Sequence, residues 1–304
     1  MKRIIALLLV LVCLVSMLAC SATNIAVEEE TETVEATTTK KKVTTTTKEK
    51  KEKEEPAPER PEYEATPNYC GTKNFDPFDT VKFKYRGIAD LQKEVDALAA
   101  TYKPSDEGKV ILYGDSHFTR WSSTHADGNL NAADELNATN VLNHGFGSST
   151  MHDLVLHYNE LVKPWNPSAL IISSYVNGYD YTAAERIQLT DWLVNRATQD
   201  FPDIKIYILE YSVLLKDRSS LMKDINTINQ QLHELTKKYP NLKIIEHSKE
   251  ASFYEAPQYA GTYTHPKESF FLSDEVHFTR QGYAAFAEMI KREAKDVLEF
   301  KGQI

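Results

Sequence analysis

Val110-Ile111-Leu112-Tyr113-Gly114-Asp115-Ser116-His117 decides the fold. Four apolar residues ending at a glycine read as a short buried strand. A glycine at the strand end lets the chain turn sharply and can set a serine hydroxyl at the lip of a sheet. Four further runs have the same character: Asn140–Asn143, Ala169–Tyr175, Lys205–Tyr211 and Leu242–Glu246. Helical patterns lie between and after them, over Asp153–Val162, Ala183–Asp200, Ser219–Tyr239 and Arg280–Leu298. Strands alternating with helices predict an α/β fold, a three-layer α/β/α sandwich around a central, mainly parallel five-stranded sheet. Ligands of such sheets sit beyond the carboxyl ends of the strands. Ser116, the stretch 145–149 and Asn177 each follow a predicted strand, so one sheet edge should gather all three.

Each of these segments has a chemical and a plain structural reading. Gly114-Asp115-Ser116 offers a nucleophile, but it is also ordinary turn composition. Asp274-Glu275-Val276-His277 puts an acceptor three residues before a base, as a serine nucleophile requires. The same residues also suit a helix start, with Asp274 or Thr279 as cap. Small residues in Gly145-Phe146-Gly147-Ser148-Ser149 can turn backbone N–H groups toward an anion, or simply join strand to helix. The Asn177 amide can donate to an oxyanion or form a turn.

Their order along the chain resembles that of the SGNH/GDSL hydrolases, named for a serine, glycine, asparagine and histidine in successive blocks. Gly114 to Trp121, Asn143 to Asp153 and Asp274 to Tyr283 look like the first, second and closing blocks of its carbohydrate-esterase and platelet-activating-factor-acetylhydrolase-like members. Arg218 to Asn229 is similar to a further stretch. The resemblance implies a flavodoxin-like sheet, a triad of Ser116, Asp274 and His277, and an oxyanion hole of Ser116, Gly147, Ser148 and Asn177. Two departures stand out. Ser148 replaces the second of a glycine pair, so either Gly147 or Ser148 is the donor. In the third block Tyr175 stands for a glycine and Gly178 for an aspartate, which reshapes the pocket; Asp180 could compensate.

The remaining motifs exclude alternatives. Phe118 stands where the α/β-hydrolase pattern Gly-x-Ser-x-Gly needs its second glycine. Nine histidines fall without Cys-x-x-Cys or His-Glu-x-x-His spacing, so neither metal nor cofactor is expected. His144, His152 and His157 are read as surface residues. His117, Trp121, Tyr175 and Tyr179, with Tyr181 and Tyr263, are candidate substrate contacts; ordinary packing is their other reading.

The N-terminus speaks to location. Lys2 and Arg3 precede an apolar run from Ile4 to Val15, shorter than the roughly 20 residues that span a bilayer. This is a secretory signal pattern. Ser16-Met17-Leu18-Ala19-Cys20 resembles a bacterial lipobox, which makes residues 1–20 a lipoprotein signal and Cys20 the lipidation site. Met17 and Leu18 depart from the usual pattern, and cleavage after Ala22 with release is the other outcome. Of three cysteines, Cys13 leaves with the signal and Cys20 carries lipid, so Cys70 has no disulfide partner. Residues 21–67, rich in Thr, Lys and Glu, have too little to bury and are expected to be a disordered tether. Its span is on the order of 40 Å. Residues 68–304 form one domain's worth of chain. The net charge is −9 without a basic patch, which argues against nucleic acid.

The expected function is an extracytoplasmic serine esterase, anchored to the bacterial cell membrane, acting on short acyl esters and first on O-acetylated carbohydrate. A lysophospholipase or other short-acyl esterase is one alternative. A catalytically silent glycan-binding lipoprotein of the same fold is the other. Nothing in the sequence sets the oligomeric state.

Overall fold

The structure, a computed structural model, describes residues 91–122, 128–173, 177, 181–211, 219–255 and 266–302. The signal, Cys20, the tether, Cys70, Tyr175, Gly178, Tyr179, Asp180 and Tyr263 lie outside them. Among the described residues no helix is long and apolar enough to cross a membrane.

Five strands form one parallel sheet: β1 (Val110–Gly114), β2 (Val141–Gly145), β3 (Ala169–Ser173), β4 (Lys205–Leu209) and β5 (Leu242–Ile245). Their order is β2-β1-β3-β4-β5, and every neighbouring pair runs parallel. β1 and β3 are buried along their whole length, which explains their unbroken apolar runs. The edge strands admit Asn143 and the exposed Lys243.

Helices α1 (Gln92–Ala99), α2 (Ser116–Thr119), α3 (Ala132–Glu135), α4 (Met151–Leu156), α5 (Tyr158–Leu161), α6 (Ala183–Asp200), α7 (Ser219–Leu235) and α8 (Arg280–Glu293) cover the sheet. Register shows how they divide. Tyr113 pairs with His144, and both side chains leave the same face, where they bond the Leu154 and Leu161 carbonyls at the ends of α4 and α5. Their neighbours point the opposite way. Asn143 reaches the Phe118 and Trp121 carbonyls in and after α2, Tyr207 reaches Asp296 beyond α8, and Lys243 reaches the Glu293 carbonyl. The sheet is therefore the middle of three layers.

The long helices follow local rules. Thr182 and Glu185 form a capping box at the start of α6, and Pro202 discourages its continuation. Its buried Leu189, Leu193, Val194 and Ala197 recur at helical spacing. Each fully buried Leu or Val stabilises by about 1.5–3 kcal/mol, so packing rather than propensity holds the helix. The expected helix over 153–162 is instead two, α4 and α5, because His157 leaves helical geometry at φ −97°, ψ 11°. α7 and α8 stop at Leu235 and Glu293, short of their expected ends.

Candidate active site

Three strand ends make the site floor. β1 ends at Gly114, paired with Gly145 of β2 on one side and Ser173 of β3 on the other. A Cβ on Gly114 would stand 2.1 Å from the Ser173 carbonyl oxygen, and one on Gly145 would stand 2.4 Å from the Thr119 nitrogen. Only glycine lets α2 lie this close to the sheet. Asn143 then stitches α2 down through the Phe118 and Trp121 carbonyls, at 2.7 and 3.2 Å. Asp115 caps α2, its buried carboxylate accepting the His117 N–H at 3.0 Å. Ser116 is the first residue of α2.

The Ser116 hydroxyl meets His277 Nε2 at 2.9 Å, and His277 Nδ1 meets Asp274 Oδ2 at 2.6 Å. The two halves of this line are 161 residues apart in sequence. Asp274 and His277 share one tight turn. Asp274 Oδ1 accepts the N–H groups of Val276 at 3.0 Å and His277 at 2.9 Å, while Glu275 takes a left-handed φ of 57°. The Leu272 N–H donates to the His277 carbonyl at 2.7 Å and closes the turn. Thr279, not Asp274, caps α8.

Electrostatics suit a neutral base beside a charged acceptor. Burial raises the Asp274 pKa, but hydrogen bonds from the His277 backbone and ring and from the Val276 N–H outweigh it, giving about 2. For His277, burial pushes the pKa below the ordinary histidine value, helped by nearby His117 and Arg120 and opposed by Asp274. At neutral pH the imidazole is uncharged and its Nε2 can take a proton.

The turn after β2 carries the other expected residues. Phe146 N–H donates to the Gly114 carbonyl at 2.9 Å, and Ser149 N–H to the Phe146 carbonyl at 3.4 Å. Ser148 sits at φ 61°, which only glycine adopts without strain. Asn177 Nδ2 donates to the Ser149 carbonyl at 3.0 Å, so the third strand's loop is tied to this turn. Gly147 N–H donates to Glu94 Oε2, on α1, at 2.7 Å. The N–H groups of Ser116 and Ser148 have no acceptor among the described residues. Of Gly147 and Ser148, the serine thus keeps its N–H available. Glu94 was not legible as a site residue, since it lies 53 positions from its partner on a helix of no special composition.

Several expectations need correction. His117 and Trp121 are wholly buried and present nothing to a ligand. His117 instead donates from Nε2 to the Val276 carbonyl at 3.1 Å and packs its ring edge-on against Phe278, so it braces the Asp274–His277 turn. Trp121 stacks on Tyr283, whose hydroxyl donates to the His117 carbonyl at 2.7 Å. Tyr181 is buried against His152. His144, His152 and His157 are buried rather than on the surface, because each ring has found a partner: the Leu161 carbonyl, the Tyr181 hydroxyl and the Glu160 carboxylate. Burial lowers the pKa of His144 and of His152 to about 4. Asn229, in the further resembling stretch, brackets the Tyr211 N–H and carbonyl at 2.8 and 2.9 Å and fixes the chain leaving β4.

One group of side chains among the described residues could hold a metal ion: Glu210, His233 and Glu246, past the ends of β4 and β5. His233 Nε2 already bonds Glu210 at 2.8 Å, and Lys249 bonds Glu246 at 2.7 Å. These hydrogen bonds already occupy a ligand atom on each of the three side chains.

Fold and site together define a class: a parallel α/β/α sandwich of strand order 2-1-3-4-5, with a Ser–His–Asp hydrogen-bonded line on its carboxyl edge. Solved structures place the fold more narrowly. A GDSL-like lipase from Bacteroides thetaiotaomicron VPI-5482 matches with a TM-score of 0.53 at 16% identity, over 69% of this chain and 98% of that one. A candidate acylhydrolase from Bacteroides fragilis NCTC 9343 matches with a TM-score of 0.52 at 18% identity, over 68% and 96%. A candidate platelet activating factor from Streptococcus pneumonia gives a TM-score of 0.51 at 17% identity, over 66% and 93%. At these identities the likeness is one of fold: the chain has the fold of GDSL-like lipase and acylhydrolase structures. No family model and no curated protein matches the sequence.

Proposed function

We propose that the chain is a serine ester hydrolase of the SGNH/GDSL type, and the observation that carries this is the Ser116–His277–Asp274 line. Ser116 Oγ attacks the ester carbonyl carbon while its proton passes to His277 Nε2. Asp274 accepts the Nδ1–H and stabilises the imidazolium. The carbonyl oxygen, now an oxyanion, is met by the N–H groups of Ser116 and Ser148 and by the Asn177 amide. Collapse expels the alcohol, which takes its proton from His277. Water repeats the path on the acyl-serine and releases the carboxylic acid.

The preferred substrate is a short acyl ester on carbohydrate, hydrolysed outside the cytoplasm by an enzyme tethered through lipid on Cys20. The signal pattern, the lipobox-like stretch and the Thr/Lys/Glu-rich tether support that location, where acylated glycans are abundant. Tyr175, Tyr179 and Tyr263 are the aromatic candidates for sugar stacking, since Trp121 and Tyr181 are buried.

The test uses the full chain and p-nitrophenyl acetate. Turnover should fall to background in Ser116→Ala, and a folded parent protein without Ser116-dependent turnover would sink the reading. An acyl-length series then separates substrates: a sharp drop beyond acetyl fits O-acetyl glycans, and a long-acyl optimum fits lysophospholipids. Palmitate labelling abolished by Cys20→Ala would support the anchor.

A further inference from the structure

The turn after β2 contains a contradiction that its own residues do not resolve. Ser148 is the third residue of a four-residue turn, Phe146 to Ser149, closed by the Ser149 N–H on the Phe146 carbonyl. Its φ of 61° belongs to the turn form that takes glycine at this position. A serine prefers the alternative form, in which the central peptide is flipped. That central peptide carries the Ser148 N–H, the group left available beside Ser116. Whatever selects the turn form also selects where this N–H points.

The two ends of the turn are held from outside. At its exit, Asn177 Nδ2 donates to the Ser149 carbonyl at 3.0 Å. At its entry, the Glu94 carboxylate accepts the Gly147 N–H at 2.7 Å, a charge-assisted bond. Glu94 is exposed, but its helix is not loose: Val95 and Ala99 of α1 are buried, and Gln92 reaches Glu160 of α5. The carboxylate therefore reaches the turn from a fixed support. Both of its oxygens lie about 3.8 Å from where a Gly147 Cβ would stand, so it also fits closely against that glycine.

We propose that Glu94 is a positioning residue for the oxyanion turn: it anchors the Phe146–Gly147 peptide, the support on which the adjoining central peptide would otherwise turn over, and so keeps Ser148 in its left-handed conformation and the Ser148 N–H available to the reacting oxygen. The proposal rests on the esterase reading for its kinetic consequence but not for its structural one. It also explains how a serine stands where the resembling family has a glycine: the missing conformational freedom is replaced by a tie from another helix.

Three full-chain variants test it: Glu94→Ala, Glu94→Gln and Glu94→Ala with Ser148→Gly. In Glu94→Ala, kcat on p-nitrophenyl acetate should fall about tenfold to a hundredfold with KM nearly constant, because one oxyanion donor is misplaced. Glu94→Gln keeps an oxygen acceptor and should stay within a few-fold of the parent. Adding Ser148→Gly to Glu94→Ala should restore most of kcat, since glycine accepts the positive φ unaided; a generally destabilised protein would not be rescued this way. Hydrogen exchange of the peptide spanning Gly145 to Thr150 gives a readout independent of activity. It should quicken in Glu94→Ala and recover in Glu94→Gln. An unchanged kcat in Glu94→Ala, a loss confined to KM, or unchanged exchange would each overturn the proposal. If the parent shows no Ser116-dependent turnover, the esterase reading fails, and the exchange measurement alone decides the Glu94 tie.

Discussion

Two turns at the site place a residue other than glycine in the left-handed region, and they are held in opposite ways. Glu275, at φ 57°, sits in a turn secured by its own neighbours: Asp274 caps the Val276 and His277 N–H groups, and Leu272 bonds the His277 carbonyl. Ser148, at φ 61°, sits in a turn secured by Glu94 and Asn177, which lie 53 and 28 positions from the residues they bind. The first turn is closed by a local code, with one brace from outside, His117 Nε2 on the Val276 carbonyl; the second is held at both ends by the assembly of the domain. Chemistry that needs a base and its acceptor in constant register benefits from the first. The second makes the proposed oxyanion donors depend on how α1 and the loop after β3 are docked.

The largest effect should come from breaking the local turn's chemistry without breaking its shape. Asp274→Asn keeps an oxygen to cap the Val276 and His277 N–H groups but loses the charge that faces His277 Nδ1. We expect kcat to fall by about 10⁴-fold with the fold intact, as happens when a triad carboxylate becomes an amide. The parent's pH profile sharpens the point. With neutral His277 as the proposed base, kcat/KM should rise with pH and fall as protons are added. Because burial sets the His277 pKa below its ordinary value, the midpoint of that rise should lie below about 6.5. A midpoint well above this would mean that Asp274 dominates burial in the working enzyme.

Next in size is the non-local turn. Asn177→Ala removes both a proposed oxyanion donor and the tie to the Ser149 carbonyl. Loss of one such donor costs about 2.7–4 kcal/mol of barrier, or roughly 10²–10³ in kcat. Steady-state kinetics at fixed pH would show it as a kcat effect with little change in KM. Full turnover would remove Asn177 from the oxyanion site and leave it as a turn clamp.

The same contrast explains what the sequence revealed. Strands β1, β3 and β4 and helix α6 were legible because burial on both faces of a strand, or on one face of a helix, prints a local pattern. The Asp274–His277 pairing was legible because its members stand only three positions apart. The role of Glu94 was not, since nothing local marks one glutamate of α1 as the partner of Gly147. His117 and Trp121 were misread for a related reason. Both stand beside the nucleophile in sequence, but a helix beginning at Ser116 turns their side chains inward, under Phe278 and Tyr283. His144, His152 and His157 were taken as exposed because a polar ring advertises neither the carbonyl nor the hydroxyl that lets it be buried. The break at His157 left no mark that a helical pattern would lose.

The smallest expected effect tests whether the local turn is as self-sufficient as its hydrogen bonds suggest. Glu275 is exposed, and its side chain takes no part in the bonds that close the turn. A left-handed residue other than glycine costs about 1–2 kcal/mol. Glycine would relieve that cost but adds roughly 0.5–1 kcal/mol of unfolded-chain entropy. Glu275→Gly should therefore stabilise the domain slightly, by about 0.5 kcal/mol, measured as a small upward shift of the denaturation midpoint. Turnover should not change, because Asp274 still fixes both the turn and the imidazole. The matching substitution Ser148→Gly in the parent should likewise leave turnover near its starting value while Glu94 is present. A fall in kcat for Glu275→Gly would show that the left-handed residue itself stiffens the His277 turn. The local turn would then need its strain, and the division between a self-held and an externally held turn would fail at its simpler member.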